Sequence, residues 1–168
     1  LYKEMLSRIQ ETDLSVPSRK DNYYYYTRTE EGKAYGIFCR KEGSLDASEE
    51  ILLDQNQLAE EHEYFALGVL SVSPNHQILA YSIDTTGAEK YTLYFLNLNT
   101  REVYPESIPD TYYSFVWAND NQTVFYTKVD SANRPDRLLR HSLEDAVEND
   151  VLVYQETDEA YFLSVGKT

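Results

Sequence analysis

Three histidines, one cysteine and a few aspartates in turns are the residues of this chain that could do chemistry. His62 sits in the acidic stretch "AEEHEY", His76 in the turn "SPNHQ" and His141 on "RLLRHSL". Cys39 lies in "GIFCRK". A pair of Cys39 with His62 or His141 would supply a thiolate nucleophile. The apolar surroundings of Cys39 favour an inert, buried thiol instead. None of these residues stands at zinc-ligand spacing. There is no G-x-S-x-G elbow, and the six glycines are too scattered for a phosphate-cradling loop. Asp84, Asp120 and Asp130 fall in turns, where hydrogen bonding to the local backbone is reason enough for an aspartate. No calcium-loop series of acids is present. The residues therefore predict no catalytic, cofactor-binding or metal site within the chain.

Charge narrows the classes of partner. The net charge of the 168 residues is −14. Eight acids and no Lys or Arg lie between Glu42 and Tyr64, and seven acids and no Lys or Arg between Glu144 and Glu159. Phosphate backbones and anionic membrane surfaces would be repelled, so neither nucleic acid nor membrane is expected as a partner. A cationic ligand would be attracted, although acid runs also serve simply as solvated, solubilising rims. No apolar run reaches the ~20 residues that span a bilayer. "LYKEMLSRIQ" has no cleavable signal pattern and no initiator Met, so the chain is expected to be part of a longer one. A single cysteine excludes an internal disulfide and points to a reducing, cytoplasmic setting. The triplet Asn121-Gln122-Thr123 matches a glycosylation sequon, which has no meaning there.

The elements that would position these residues repeat. "VSPNHQILAYS" from Val72 and "WANDNQTVFYT" from Trp117 share an apolar start, a polar turn and a strand ending in Tyr plus a hydroxyl residue, at an offset of 45. "TLYFLNL" and "RLLRHSL" keep that offset, and Tyr64-Phe65 recurs as Tyr112-Tyr113 and Tyr161-Phe162. Each unit reads as four short strands separated by turn signals. The middle unit has them near 65–72, 78–84, 91–97 and 102–104, and the next near 113–118, 123–129, 137–142 and 151–154. An earlier unit offers "DLSVPS", "NYYYYTRT", "AYGIFCRK" and "EEILLD", with a tight turn at "EEGK" in which Gly32 supplies a positive φ. Only Leu1–Glu11 and one turn in "DQNQLAEEHEY" read as helical.

Four antiparallel strands repeating about every 45 residues describe a β-propeller blade. The fold class expected is all-β, a partial β-propeller of about three four-stranded antiparallel blades. The chain would divide into a lead-in over 1–12 and blades near 13–55, 64–105 and 112–155, with a further blade starting at 160–168. A blade is packed on both faces, which explains Tyr23 to Tyr26 side by side: aromatic rings fill both sides of one strand while their hydroxyls reach partners at its edges. An aromatic ligand platform is the alternative use of those rings.

"EEILLDQNQLAEEHEYFALGVLSVSPNHQILAYSIDTTGAEKYTLYFLNLNT", "FVWANDNQTVFYTKVD" and "VLVYQETDEAYFLSVGKT" resemble the first blades of the oligopeptidase B (protease II) branch of the prolyl oligopeptidase family. The resemblance runs from about Leu14 to Thr168, and "YKEMLSRIQETDLSVP" looks like the lead into the first blade. It implies a serine peptidase cleaving short peptides after Lys or Arg, in which a propeller over an α/β-hydrolase domain gates entry, and an expected seven blades of which this chain holds about three. The Ser, Asp and His of that family's triad belong to the hydrolase domain, so the resemblance places no catalytic residue on this chain. It implies the hydrolase domain and short basic peptides as partners, with Glu60, Glu61 and Glu63 among the acids that would favour cationic peptides. An arc of about three blades would expose apolar blade faces, so self-association is expected. A stand-alone interaction module without peptidase activity is the alternative.

Overall fold

The computed structural model describes residues 13–168; the expected lead-in helix at Leu1–Glu11 lies outside them. The chain divides into two compact units, the first ending at Glu61 and the second beginning at His62. Both are built from antiparallel strands with hardly any helix.

The first unit holds one blade. Its sheet runs in the order β1 (Ser18–Lys20), β2 (Tyr23–Arg28), β3 (Ile37–Glu42), β4 (Glu50–Asp54). The start of "DLSVPS" joins less regularly than expected. Leu14 forms an isolated bridge with Arg28, and Pro17, which has no N–H to give, separates it from β1. The β2–β3 connection turns at Glu30–Lys33, where Lys33 N–H donates to Glu30 O at 3.0 Å and Gly32 takes φ 77°. Asp54 then caps the short helix α1 (Gln55–Ala59), its carboxylate accepting from Asn56 N.

The tyrosines of β2 alternate across the sheet. Tyr25 stacks on Phe38 with centroids 5.9 Å apart, and the Arg40 guanidinium lies 4.5 Å over the Tyr23 ring. On the opposite face Tyr26 packs with Ile37 and Cys39 into a small buried core. Both faces of this strand are therefore covered to some degree, with Tyr26 buried and its three predecessors half-buried.

The second unit is a continuous sheet of seven strands: β5 (Ala66–Val72), β6 (Ile78–Asp84), β7 (Tyr91–Asn97), β8 (Val103–Trp117), β9 (Thr123–Val129), β10 (Pro135–Ser142) and β11 (Val151–Gln155). It is two blades sharing one long strand. The first half of β8 pairs with β7 as the fourth strand of one blade, and its second half pairs with β9 as the first strand of the next. Sequence reading puts a break between these halves, one strand near 102–104 and the next near 113–118, and Pro105 and Pro109 lie in that gap. Both prolines fall where the β7–β8 register shifts, Pro105 between the pairs Leu96–Val103 and Tyr94–Ser107 and Pro109 between Leu93–Ile108 and Tyr91–Thr111, and Asp110 beside them takes φ 59°.

Successive blades of this unit interlock one repeat apart. Trp117 Nε1–H donates to Ser71 O at 3.1 Å, Asn75 N–H to Asn121 Oδ1 at 2.7 Å, and Asn133 Nδ2–H to Ala88 O at 2.9 Å. Between them lies the main core of Val69, Leu93, Phe95, Ile108, Val124 and Tyr126. Gly68 is required by close approach: a Cβ there would come within 2.7 Å of Ser82 Oγ and of the Tyr91 ring. The segment after Asp158, expected to open a further blade, has no regular strand but hydrogen-bonds to the second unit through Leu163 N–H to Pro135 O.

Candidate functional site

Each residue singled out for chemistry has a structural occupation. Cys39 is fully buried on β3, its thiol directed at Ile37 O at 3.7 Å. Burial, helped by the negative charge of Glu49, pushes that thiol up to about 11. No histidine belongs to its unit. A thiol so held is not a nucleophile near neutral pH. His62 and the acids Glu60, Glu61 and Glu63 are exposed. His76 occupies a left-handed turn position at φ 62°.

The turn aspartates tie down backbone. Asp84 accepts from the N–H groups of Thr86, Gly87 and Glu89 and from the Thr86 hydroxyl. Burial raises its carboxyl, but those bonds outweigh it and hold the group below the usual aspartate range. Asp130 does the same one repeat later for Ala132 and Arg134, and Asp120 for Gln122 and Thr123. Among the described residues no three His, Cys, Asp or Glu could hold a metal ion.

Sequence reading missed the polar clusters that the strands assemble. In the first unit the Tyr26 hydroxyl donates to Glu49 Oε2 at 2.6 Å, and Arg28 Nε–H to Glu49 Oε1 at 3.0 Å; Arg28 also pairs with Glu30. Burial raises the Glu49 carboxyl, but the bonds from Tyr26 and Arg28 leave it below its ordinary value. The Tyr26 phenol is raised, first by burial and then by its bond to Glu49. On the opposite face of the same blade Arg40, almost wholly buried, grips both oxygens of Glu50 at 2.7 and 3.2 Å.

In the second unit the Tyr126 hydroxyl donates to Asp150 Oδ2 at 2.5 Å, and His141 Nδ1 lies 2.6 Å from Asp150 Oδ1. All three side chains are buried, and the imidazole stacks parallel to Phe95 with centroids 6.0 Å apart. An aspartate orienting a histidine through Nδ1 is two-thirds of a hydrolytic triad. The last third is missing here: His141 Nε2 is buried and has no hydrogen-bond partner among the described residues, so no hydroxyl or thiol is set against it. The arrangement fastens strands. The signal for both clusters was a Tyr at the fourth position of a blade's second strand, followed 23 or 24 residues later by an acid just ahead of its fourth strand.

An open cleft of about 730 Å³ on the second unit gathers charge of one sign. Glu106, Glu144, Asp145 and Glu148 line it, with Lys128 at its wall. Burial lowers the Lys128 ammonium, partly offset by Asp110 and Asp150. The cleft carries four carboxylates against one amine, an environment suited to a cationic side chain.

Known proteins match this arrangement along its whole length. The family described as prolyl oligopeptidase, N-terminal β-propeller domain, matches residues 1–168. The chain is 35% identical over 175 residues to Protease 2 of Moraxella lacunata, covering 100% of this chain and 25% of that protein. It is 34% identical over 184 residues to dipeptidyl aminopeptidase BI of Pseudoxanthomonas mexicana, again with 100% and 25% covered. In three dimensions it superposes on oligopeptidase B from Leishmania major with a TM-score of 0.87 at 32% identity, over 94% of this chain and 23% of the other. The chain thus spans about a quarter of the length of the relatives it matches, and its blades are part of a β-propeller.

Proposed function

This chain belongs to the prolyl oligopeptidase family, within whose N-terminal propeller its whole length falls, and from that premise we propose that it serves a serine oligopeptidase which cleaves short peptides after Lys or Arg. The propeller's part is to admit and select substrate, while a separate α/β-hydrolase domain does the chemistry. That division accords with the described residues, whose one Asp–His pair is sealed and lacks a nucleophile. A cytoplasmic setting goes with the reading, and the lone, buried thiol of Cys39 suits it.

The preference for basic peptides rests on a single observation, the concentration of carboxylates. Glu106, Glu144, Asp145 and Glu148 surround one cleft, and Glu60, Glu61 and Glu63 stand exposed on the 60–63 turn. Carboxylates placed on the route of a charged ligand raise its encounter rate and make that rate sensitive to salt.

The test uses the full-length enzyme that carries this chain. Fluorogenic peptides with Arg or Lys before the scissile bond should be cleaved with higher kcat/KM than the same peptides with Pro or Ala there. Equal or reversed preference overturns the assignment. Glu60→Gln, Glu61→Gln and Glu63→Gln together should lower kcat/KM for Arg peptides severalfold at low salt and little at high salt. An unchanged rate with an unchanged salt slope would remove the electrostatic part and leave the peptidase assignment standing.

A further inference from the structure

The row of side chains that β9 turns toward the main core ends in a charge. Val124 and Tyr126 are buried in that core, and Lys128, two positions on, emerges on the same face. There the core gives way to the open cleft of about 730 Å³, with Lys128 in its lining. One wall is the first half of β8, from Pro105 to Pro109, and the other is the connection from β10 to β11, from Glu144 to Glu148. The walls are joined, because Glu144 N–H donates to Glu106 Oε1 at 3.0 Å. Val147 packs from the second wall against the main core. The cleft is therefore built by two adjacent blades that hold each other, from residues 105–148.

The two signs of charge in this cleft stand apart. Lys128 is half-buried, yet its ammonium has no hydrogen bond or ion pair among the described residues. The carboxylates whose charge supports it are Asp110 and Asp150, and neither lines the cleft. The four that do line it leave the amine unpaired. Among them Asp145 is fixed by the Asn149 side chain and by Ala146 N–H, which hold its carboxyl below the usual range. Much of the remaining surface is apolar, from Pro105, Pro109 and Val147. A metal ion or a polyamine would suit the acids and give Lys128 no partner. A simple anion would suit Lys128 and meet four carboxylates. A cation and an anion joined by a short hydrocarbon stem answer all three parts of the cleft. Lys or Arg at the C-terminus of a peptide has that form, with an apolar stem that packs while its head stays polar.

We propose that this cleft holds peptides ending in Lys or Arg, with the terminal carboxylate on the Lys128 amine, the side-chain stem along Pro105, Pro109 and Val147, and the cationic head among the carboxylates of the walls. The inference rests on the cleavage reading above, because hydrolysis after Lys or Arg gives the acyl-side fragment a new carboxylate beside a cationic side chain. The volume is in the range of sites for small ligands and admits one or two residues of such an end. It gives the propeller a hold on the products of the reaction as well as on its substrates.

The test uses the full-length enzyme that carries this chain, its nucleophilic serine blocked by a sulfonyl fluoride so that no peptide is cut, and is read by isothermal titration. The probe is acetyl-Gly-Gly-Arg as the free acid, with its C-terminal amide as the control. The free acid should bind about tenfold more tightly, since it alone offers a carboxylate to the half-buried amine. Lys128→Met should bring the free acid down to the level of the amide without weakening the amide, and Lys128→Arg should keep the preference. Glu144→Gln with Glu148→Gln should weaken both forms severalfold and flatten their salt dependence. Equal binding of acid and amide by the unaltered enzyme overturns the proposal, and that comparison needs no variant to fold. So does a preference for the acid that survives Lys128→Met, or no binding of the acid up to about 5 mM. Cleavage preference is read separately on the unblocked enzyme, so a failure of the peptidase assignment and a failure of this site are different results.

Discussion

The blade of the first unit and the last blade of the second fasten their outer strands with the same device in different surroundings. In each, a tyrosine from the second strand donates to a carboxylate just ahead of the fourth: Tyr26 to Glu49, and Tyr126 to Asp150. The first carboxylate is shared with Arg28 and remains partly wet, with Glu49 30% and Arg28 22% exposed. The second is sealed, with Asp150 only 4% exposed and its other oxygen against His141. The blade between them has the tyrosine, and Glu102 directly ahead of its fourth strand, but no hydrogen bond joins the two among the described residues. Tyr81 stacks instead on Tyr94 with centroids 5.5 Å apart. One geometric slot thus accepts an ion-paired, a sealed or a purely aromatic solution, and the local access of water sets what each is worth.

The sharpest way to break this comparison is to delete the two carboxylates. Asp150→Ala leaves a phenol and an imidazole buried without their acceptor, which should cost about 3 kcal/mol or more. Glu49→Ala leaves Arg28 its pairing with Glu30 and a route to water, so its cost should be nearer 1 kcal/mol. Urea unfolding of both variants checks the order, and equal losses would show that burial does not separate the two sites. The tyrosines repeat the contrast on a smaller scale. Tyr126→Phe should cost about 1–2 kcal/mol, and Tyr26→Phe about half that, because a lost hydrogen bond hurts most when the acceptor cannot turn to water.

Titration sharpens the comparison further. The Glu49 carboxyl sits below its ordinary value in the folded protein, so the unfolded chain binds its proton first as pH falls. Its contribution is complete above the unfolded carboxylate range and is lost as pH drops through the folded value. Glu49→Gln should therefore flatten stability against pH below about 5 relative to the parent. The phenols run the other way. Tyr126 and Tyr26 are raised in the folded state, chiefly by burial, so stability should fall as pH climbs above about 10, where an unfolded tyrosine ionises and these do not. Absorbance at 295 nm during alkaline unfolding follows it directly. The smallest effect concerns Cys39: a neutral aromatic disulfide reagent should leave the folded chain unlabelled over hours and label it at once in urea, as burial and a thiol pushed up to about 11 require.

Much of this architecture was legible residue by residue. The 45-residue offset that aligns Val72 with Trp117 reappears as hydrogen bonds between blades, with Asn133 reaching Ala88 and Trp117 reaching Ser71. Asp84, Asp120 and Asp130 proved to be turn anchors, as their surroundings in the chain suggest. Gly32 has the positive φ expected of it. The clusters were not legible. Glu49 and Asp150 looked like members of two solvated acid runs, and nothing near them in sequence marks them as the partners of tyrosines 23 and 24 residues away. His141 read as a residue on an apolar strand, and its Asp150 lies across a turn whose path only folding determines. The unbroken course of β8 through Pro105 and Pro109 was likewise hidden, because proline breaks a pattern in sequence whether or not the missing N–H was needed.

Sequence by itself determined the all-β class and the four-strand repeat, since these rest on periodicities and turn residues that act locally and recur, while the family was legible through the likeness of long stretches such as "FVWANDNQTVFYTKVD". It also determined that aromatics would occupy both sides of β2, because the order of residues along a strand dictates the side on which each emerges. Tertiary structure alone decided which acids are buried and paired and which four gather around one cleft. Those outcomes depend on which distant residues meet and how much water reaches them, and a charge has the same letter in the sequence whether it is solvated or sealed.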